Sequence, residues 1–270
     1  MENLKKSHFM YLIVCLMLLS TLVISSYQNV WRHVFSKSTD ISLELLNLSK
    51  QYYASKYHIW YESFNEFQMI LYLLIPIVTS SIYANFYYDK TDLYYVYREG
   101  LKKYYVKNFF KVLGILCIII GVPLIIFFIG LNVLPTTNKI FIDGTKLSIQ
   151  NVVPTITILN QSIRELALKN PNEYIYYTII VFFVWGVNFG IFSYAIGNFI
   201  KFKILRYLAP IIAITIIDFI IGLVGNSVFW DMTNTAISLD TKTIIMGNLF
   251  LFFISLILLF IHYRKRRVEG

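Results

Sequence analysis

Hydrophobic and polar positions along the chain sort into six long apolar blocks, separated by segments rich in charge, tyrosine or proline. The blocks run about Phe9–Ser25, Phe67–Asn85, Val112–Leu134, Tyr174–Ile200, Tyr207–Phe229 and Thr243–Tyr263. Crossing the hydrocarbon core takes about 20 mostly apolar residues in a helix, and each block approaches or passes that length. Inside lipid a segment must satisfy its own backbone hydrogen bonds, so helices are the reading for all six. The pattern predicts an all-α, polytopic membrane protein of six spans, with residues 1–270 forming a single transmembrane domain. Lys5 and Lys6 precede the first block, as in a signal peptide. At ~17 residues the block is long for such a core and no A-x-A-like cleavage site follows, so it reads as an uncleaved span.

The segments between blocks carry patterns of their own. In residues 26–66, Ile41, Leu45, Leu48 and Tyr52 recur at helical spacing, flanked by Leu46, Tyr53, Tyr57 and Trp60. That predicts an amphipathic helix lying on the outer membrane surface or on the end of the bundle. Residues 135–173 contain Pro135, Pro154 and Pro171 without a clear period, as an ordered cap would. The last such segment, around 226–242 and centred on 230–242, is rich in Asn, Thr and Asp and could dip back into the membrane. In residues 86–108, Asp89 or Thr91 can cap a short helix and Gly100 can end it, with a second helix starting near Leu101. Composition alone makes this segment an interfacial belt of Tyr and Lys. Pro76 and Pro123 fall inside the second and third spans and are expected to kink them.

Composition and charge sharpen this picture. The chain is 57% hydrophobic and only 14% charged, whereas a soluble domain carries about a quarter charged residues. The net charge of +9 could suggest a nucleic-acid partner, but the basic residues sit in short segments at the ends of apolar blocks. That is the distribution of topology signals, and nucleic-acid binding is not expected. Placing the N-terminus inside puts 14 Lys and Arg in the inner segments and nine in the much longer outer ones, where nine acidic residues balance them. The bias predicts both termini in the cytoplasm. Cys15 and Cys117 lie within apolar blocks at no metal-ligand spacing and read as small core hydrophobes.

The segment after the second span resembles the ABC-2 family of ABC-transporter membrane subunits. In that family an Arg is followed by a basic pair, an aromatic residue and a Lys at the entry to the third span. Arg98, Lys102, Lys103, Tyr104 and Lys107 match that run, and Leu73–Pro76 resembles the family's apolar stretch ending in Pro. The family often shows a Glu and a Gly-Thr pair before the Arg; here Asp89–Tyr97 offers acidic residues and tyrosines. The resemblance implies that this segment is a coupling helix seated on a cytoplasmic ATPase. Asp89, Asp92, Tyr94, Tyr97, Arg98, Glu99, Lys102, Lys103, Tyr104 and Lys107 would then be the coupling residues. Two P-loop ATPase subunits, holding ATP and Mg, would pair with this chain and a second copy or a related permease.

Residue chemistry bears on the same question. The chain has no G-x-x-x-x-G-K-[ST]; Gly144-Thr145-Lys146 is only a fragment of it. Any use of ATP therefore needs a partner. No H-E-x-x-H or G-x-S-x-G occurs, and His8, His33, His58 and His262 form no metal or catalytic motif, so neither an enzyme nor a metal site is expected. Asp218 is the one acid deep inside an apolar block, where a carboxylate must be hydrated, paired or protonated. It is the first candidate for a cavity or substrate contact; Asn188 and Asn248 are weaker ones, better suited to helix-to-helix bonding. The Gly186–Gly190 spacing reads as close helix packing, possible at a subunit interface. The expectation is thus an exporter subunit for a hydrophobic or amphipathic substrate: an antimicrobial-type peptide, a lipid or a drug. Richness in Ile, Asn, Lys, Tyr and Phe suggests the plasma membrane of a bacterium with an AT-rich genome. The alternatives are an ion- or proton-coupled transporter using Asp218, and a sensor or assembly protein of the membrane.

Overall fold

A computed structural model describes residues 2–35, 42–87, 91–142, 155, 156, 158, 160–223 and 241–269. The described chain is almost entirely helical, and among the described residues there is no strand beyond isolated bridges. Helix α1 (Glu2–Ser26) passes through one π-helical turn at Tyr27–Trp31 into the short α2 (Arg32–Phe35). There follow α3 (Leu43–Tyr53), α4 (Lys56–Tyr87), α5 (Thr91–Glu99), α6 (Leu101–Val133), α7 (Gln161–Lys169), α8 (Pro171–Gly197), α9 (Lys203–Leu223) and α10 (Thr241–Glu269). Among the described residues, four helical stretches are long and apolar enough to cross a membrane: Phe9–Phe35, Leu101–Val133, Pro171–Gly197 and Ile244–Arg267. Two shorter apolar stretches, Phe67–Thr79 in α4 and Ile204–Ile217 in α9, accompany them. Residues 224–230, at the end of the expected fifth span, lie outside the described residues, as does most of 230–242.

Helix α8 is the centre of the bundle. Its apolar window is 61% buried, against 28% for the first and last candidate spans, so the others pack around it. An aromatic ladder joins it to α4. Phe64 meets Phe182 edge-on with ring centroids 3.9 Å apart, and Tyr72 stacks on Phe189 at 5.0 Å. Buried Trp60 donates from Nε1 to the Thr178 hydroxyl at 2.9 Å, which satisfies the indole where no water reaches it. At Gly186 and Gly190 the backbone of α8 comes close to α4 and α6: a Cβ at Gly190 would lie 2.5 Å from two methyl carbons of Leu116. The glycine face therefore packs within this chain, against its own helices. The outward faces of α1, α6 and α10 leave Leu16, Ile125, Ile129, Phe253 and Ile257 exposed, as surfaces that meet lipid do.

The end of the bundle remote from α5 differs from the sequence pattern in two ways. The helical period through Tyr57 and Trp60 does not continue the outer amphipathic helix. Helix α3 stops at Tyr53, and Tyr57 and Trp60 belong to α4, the 32-residue helix that contains the second apolar block. The break at Ala54 and Ser55 is stitched to the segment after α6. Thr137 donates its N–H to the Ala54 carbonyl at 2.9 Å, and Lys56 donates to the Thr137 carbonyl at 3.1 Å. Within the cap read as aperiodic lies α7, whose start is closed by Asn160. The Asn160 side-chain oxygen accepts from the Ser162 and Ile163 N–H groups at 3.0 and 3.2 Å. Ile163 and Ala167 are its buried face. Nine residues are too few for a period to stand out in sequence.

Two histidines and a tyrosine lie at this same end. His33 stacks on Tyr53 at 5.0 Å, and the opposite neighbour of Tyr53 is buried His58, edge-on at 5.5 Å. Burial first, and the charge His33 would carry second, push the His58 pKa down to about 4. An unfolded histidine titrates near 6.5, so on acidification the unfolded chain gains a proton that the folded site refuses. The stability this group lends is complete above pH 6.5 and is lost between about 6.5 and 4. Acid titration of the purified chain should therefore lower stability by up to about 1.4 kcal/mol per pH unit through that window. His58→Phe should flatten the slope; an unchanged slope in that variant would show that other groups set it.

Candidate functional site

Predicted site residues gather at the end where α4, α5 and α6 meet. Gly100 separates α5 from α6 with φ +80° and ψ 146°. This is a positive-φ conformation open almost only to glycine, and it is extended in ψ, not the left-handed helical turn expected of a C-cap. The Gly100 N–H closes α5 by donating to Val96 at 2.9 Å, and its carbonyl accepts from Tyr104, which starts α6. The two helices can thus change direction within one residue.

The side chains around that break divide into two sets. Tyr94 and Tyr97 stand out from α5, with Tyr97 89% exposed, and Arg98 is exposed beside them. A tyrosine ring that stands at a helix surface offers a large amphipathic face for a contact. Glu99 turns the other way and accepts from Lys107 Nζ at 2.8 Å, and the Lys107 ammonium holds its carboxyl below the usual carboxylate range. Lys102 and Lys103 line an open hollow with Glu99, Tyr263 and Arg267, so the start of α6 faces the end of α10. Tyr104 is half-buried, edge-on to Tyr105 at 5.9 Å. Asp89 lies outside the described residues, and so does the side chain of Asp92.

The mid-bundle candidates land elsewhere. Asn188 of α8 donates from Nδ2 to Asn248 Oδ1 of α10 at 2.9 Å, and Asn248 Nδ2 donates to the Ile244 carbonyl at 3.0 Å. This amide pair ties α8 to α10 beside an apolar hollow lined by Val181, Val184, Ile245 and Phe252. Asp218 belongs to α9, and its side chain lies outside the described residues. Pro76 and Pro123 sit within α4 and α6, which run on past them. The Thr79 hydroxyl donates to the Ile75 and Pro76 carbonyls at 3.1 and 3.3 Å, feeding acceptors beside the proline. Among the described residues no cluster of His, Cys, Asp or Glu could hold a metal ion.

No protein family, no curated protein and no solved structure matches this chain.

Two polar features of the same end escaped the sequence pattern. Arg206, counted above with the basic topology signals, is 1% exposed. Its guanidinium donates to the carbonyls of Ile200, from Nε, and of Lys201, from Nη2 at 2.8 Å. It therefore clamps the turn between α8 and α9. Its apolar flanks, Ile204, Leu205, Tyr207 and Leu208, set it apart from Lys201 and Lys203 and were the available signal. His262 of α10 is buried, with Nδ1 2.5 Å from the Tyr105 hydroxyl of α6 and its ring edge-on to Phe199. A lone histidine near the end of an apolar helix gives no sequence sign of such a tie.

Proposed function

We propose that this chain is the membrane-spanning permease subunit of an ABC-2 type transporter, driven by a separate cytoplasmic ATPase. The observation that carries the proposal is α5: a nine-residue helix between two long apolar helices, turned by a glycine-only hinge and presenting Tyr94, Tyr97 and Arg98 outward. In this reading six spans leave both termini in the cytoplasm and α5 is the coupling helix. The basic bias of the segments on that side supports the orientation. With no P-loop in its sequence, the chain would take its power stroke from the partner. Closure of the ATPase pair would push α5, and Gly100 would let α5 tilt while α6 transmits the motion into the bundle. The apolar lining of the hollow between α8 and α10 favours export of a hydrophobic or amphipathic substrate.

The test is gentle purification of the chain from its own membranes, followed by identification of what accompanies it. A P-loop ATPase should co-purify in equal amount, and Tyr97→Ala with Arg98→Glu should remove it while the chain stays folded. Interface residues of this kind contribute about 2 kcal/mol each or more, so the loss should exceed a hundredfold for the pair. If no ATPase accompanies the abundant, folded native chain, the proposal is wrong.

A further inference from the structure

Beyond any coupling role, the hollow lined by Lys102 and Lys103 continues into an apolar groove. Val106 and Tyr263 line both. The groove runs between α6 and α10 and is walled by Phe109, Phe110, Leu256, Leu259 and Phe260. Along α6, the eight steps from Lys102 to Phe110 rise about 12 Å. Val106, Phe110 and Phe260 are each about half exposed along this length, so the groove is open at the bundle surface. We propose that it binds an anionic glycerophospholipid, with the phosphate at Lys102, Lys103 and Arg267 and an acyl chain along the groove.

The charges identify the occupant. Three cations meet at the mouth, and the carboxylate there, Glu99, is already neutralised by Lys107 at 2.8 Å. A negative headgroup on an apolar tail complements both halves, and basic hollows between membrane helices are places where such headgroups settle. A second copy docked symmetrically would bring the same three cations face to face, so charge disfavours it. A zwitterionic lipid would place its own cation among them. The guanidinium of Arg264 lies over the Phe260 ring at 5.3 Å, a further positive group at the same rim. The inference rests on the chain being membrane-embedded and gives to lipid Lys102 and Lys103, which the family resemblance would make coupling residues; Tyr94, Tyr97 and Arg98, which carry the ATPase proposal, line no part of this hollow.

Native mass spectrometry of the full chain, purified alone in mild detergent, tests the proposal. Phosphatidylglycerol should give a one-to-one adduct, preferred at least tenfold over phosphatidylcholine with the same acyl chains. A surface cation near a membrane changes affinity about fivefold, so K102Q/K103Q/R267Q should erase the preference while weak phosphatidylcholine adducts persist. The three replaced side chains are exposed, and circular dichroism should confirm an unchanged fold. Val106→Trp, which fills the junction of hollow and groove, should remove both adducts. The proposal is overturned if the two lipids bind equally or if the preference survives the triple replacement. It is also overturned if glycerol phosphate displaces the lipid at equal concentration, which would make this a site for free phosphate. A dimer that Val106→Trp dissociates without touching the adducts would reassign the groove to a second copy. None of these outcomes bears on co-purification of an ATPase, so the two readings fail separately.

Discussion

Arg206→Ala should lower the stability of the purified chain by about 4 kcal/mol, among the largest effects available from one side chain outside the apolar core. The guanidinium is sealed from solvent and donates to the carbonyls of Ile200 and Lys201. Those carbonyls belong to the turn that follows α8, where helix-end carbonyls need donors from side chains or water. Truncation removes both donors and opens a void between α8 and α9. Hydrogen bonds to a charged group are each worth about 1.5–3 kcal/mol, and two are lost together with the packing of the buried Arg206 stem. Arg206→Lys keeps the charge without the planar fork and should recover less than half of the loss. Denaturant titration in micelles reads both variants. A change below about 1 kcal/mol for the alanine variant would mean that the turn holds without its clamp.

Gly190→Leu should cost about 3 kcal/mol through overpacking. Leu116 already occupies the space where any Cβ at residue 190 would sit, at 2.5 Å. A four-carbon side chain there must push α6 away from α8, the helix on which the bundle is assembled. Making room on the other side should repair part of the damage. Leu116→Ala alone leaves a cavity and destabilises by about 3 kcal/mol, yet together with Gly190→Leu it should be less harmful than the sum of the two by at least about 1.5 kcal/mol. Simple additivity would show that α8 and α6 do not touch at this point. Gly197, although on the same helix, meets nothing within 4 Å of an added Cβ, so Gly197→Ala is the neutral control.

The helical character of the described chain and its membrane-type apolar stretches were legible, because each reports a local balance: twenty apolar residues in a row have few alternatives in lipid. The sixth block falls within α10, and the third and fourth lie within α6 and α8 except for their last one and three residues. The short helix before Gly100 was legible for the same local reason, a glycine stop, although the angles there are extended in ψ where a left-handed turn was expected. What went unread was set by contacts between residues distant in sequence. Nothing in the periodicity near Tyr57 and Trp60 says that α3 ends at Tyr53; the break is held by Thr137, which the chain reaches only after α4, α5 and α6 have been built. Helix α7 depends on one asparagine cap and two buried side chains, below the length at which a period can be recognised.

The candidate site divides in the same way. The sequence by itself determined a membrane-type composition, the basic and aromatic character of residues 94–107, and the lack of any ATP-binding motif, since each follows from residue identity alone. Only the tertiary structure decided that Lys102 and Lys103 meet Arg267 across a hollow while Tyr97 and Arg98 look outward. It alone joined Asn188 to Asn248 and made Arg206 a buried clamp. The physical reason is that charge and hydropathy are properties of single residues. Burial and hydrogen-bond partnership belong to pairs, and the pairs come into being only when α6, α8 and α10 pack.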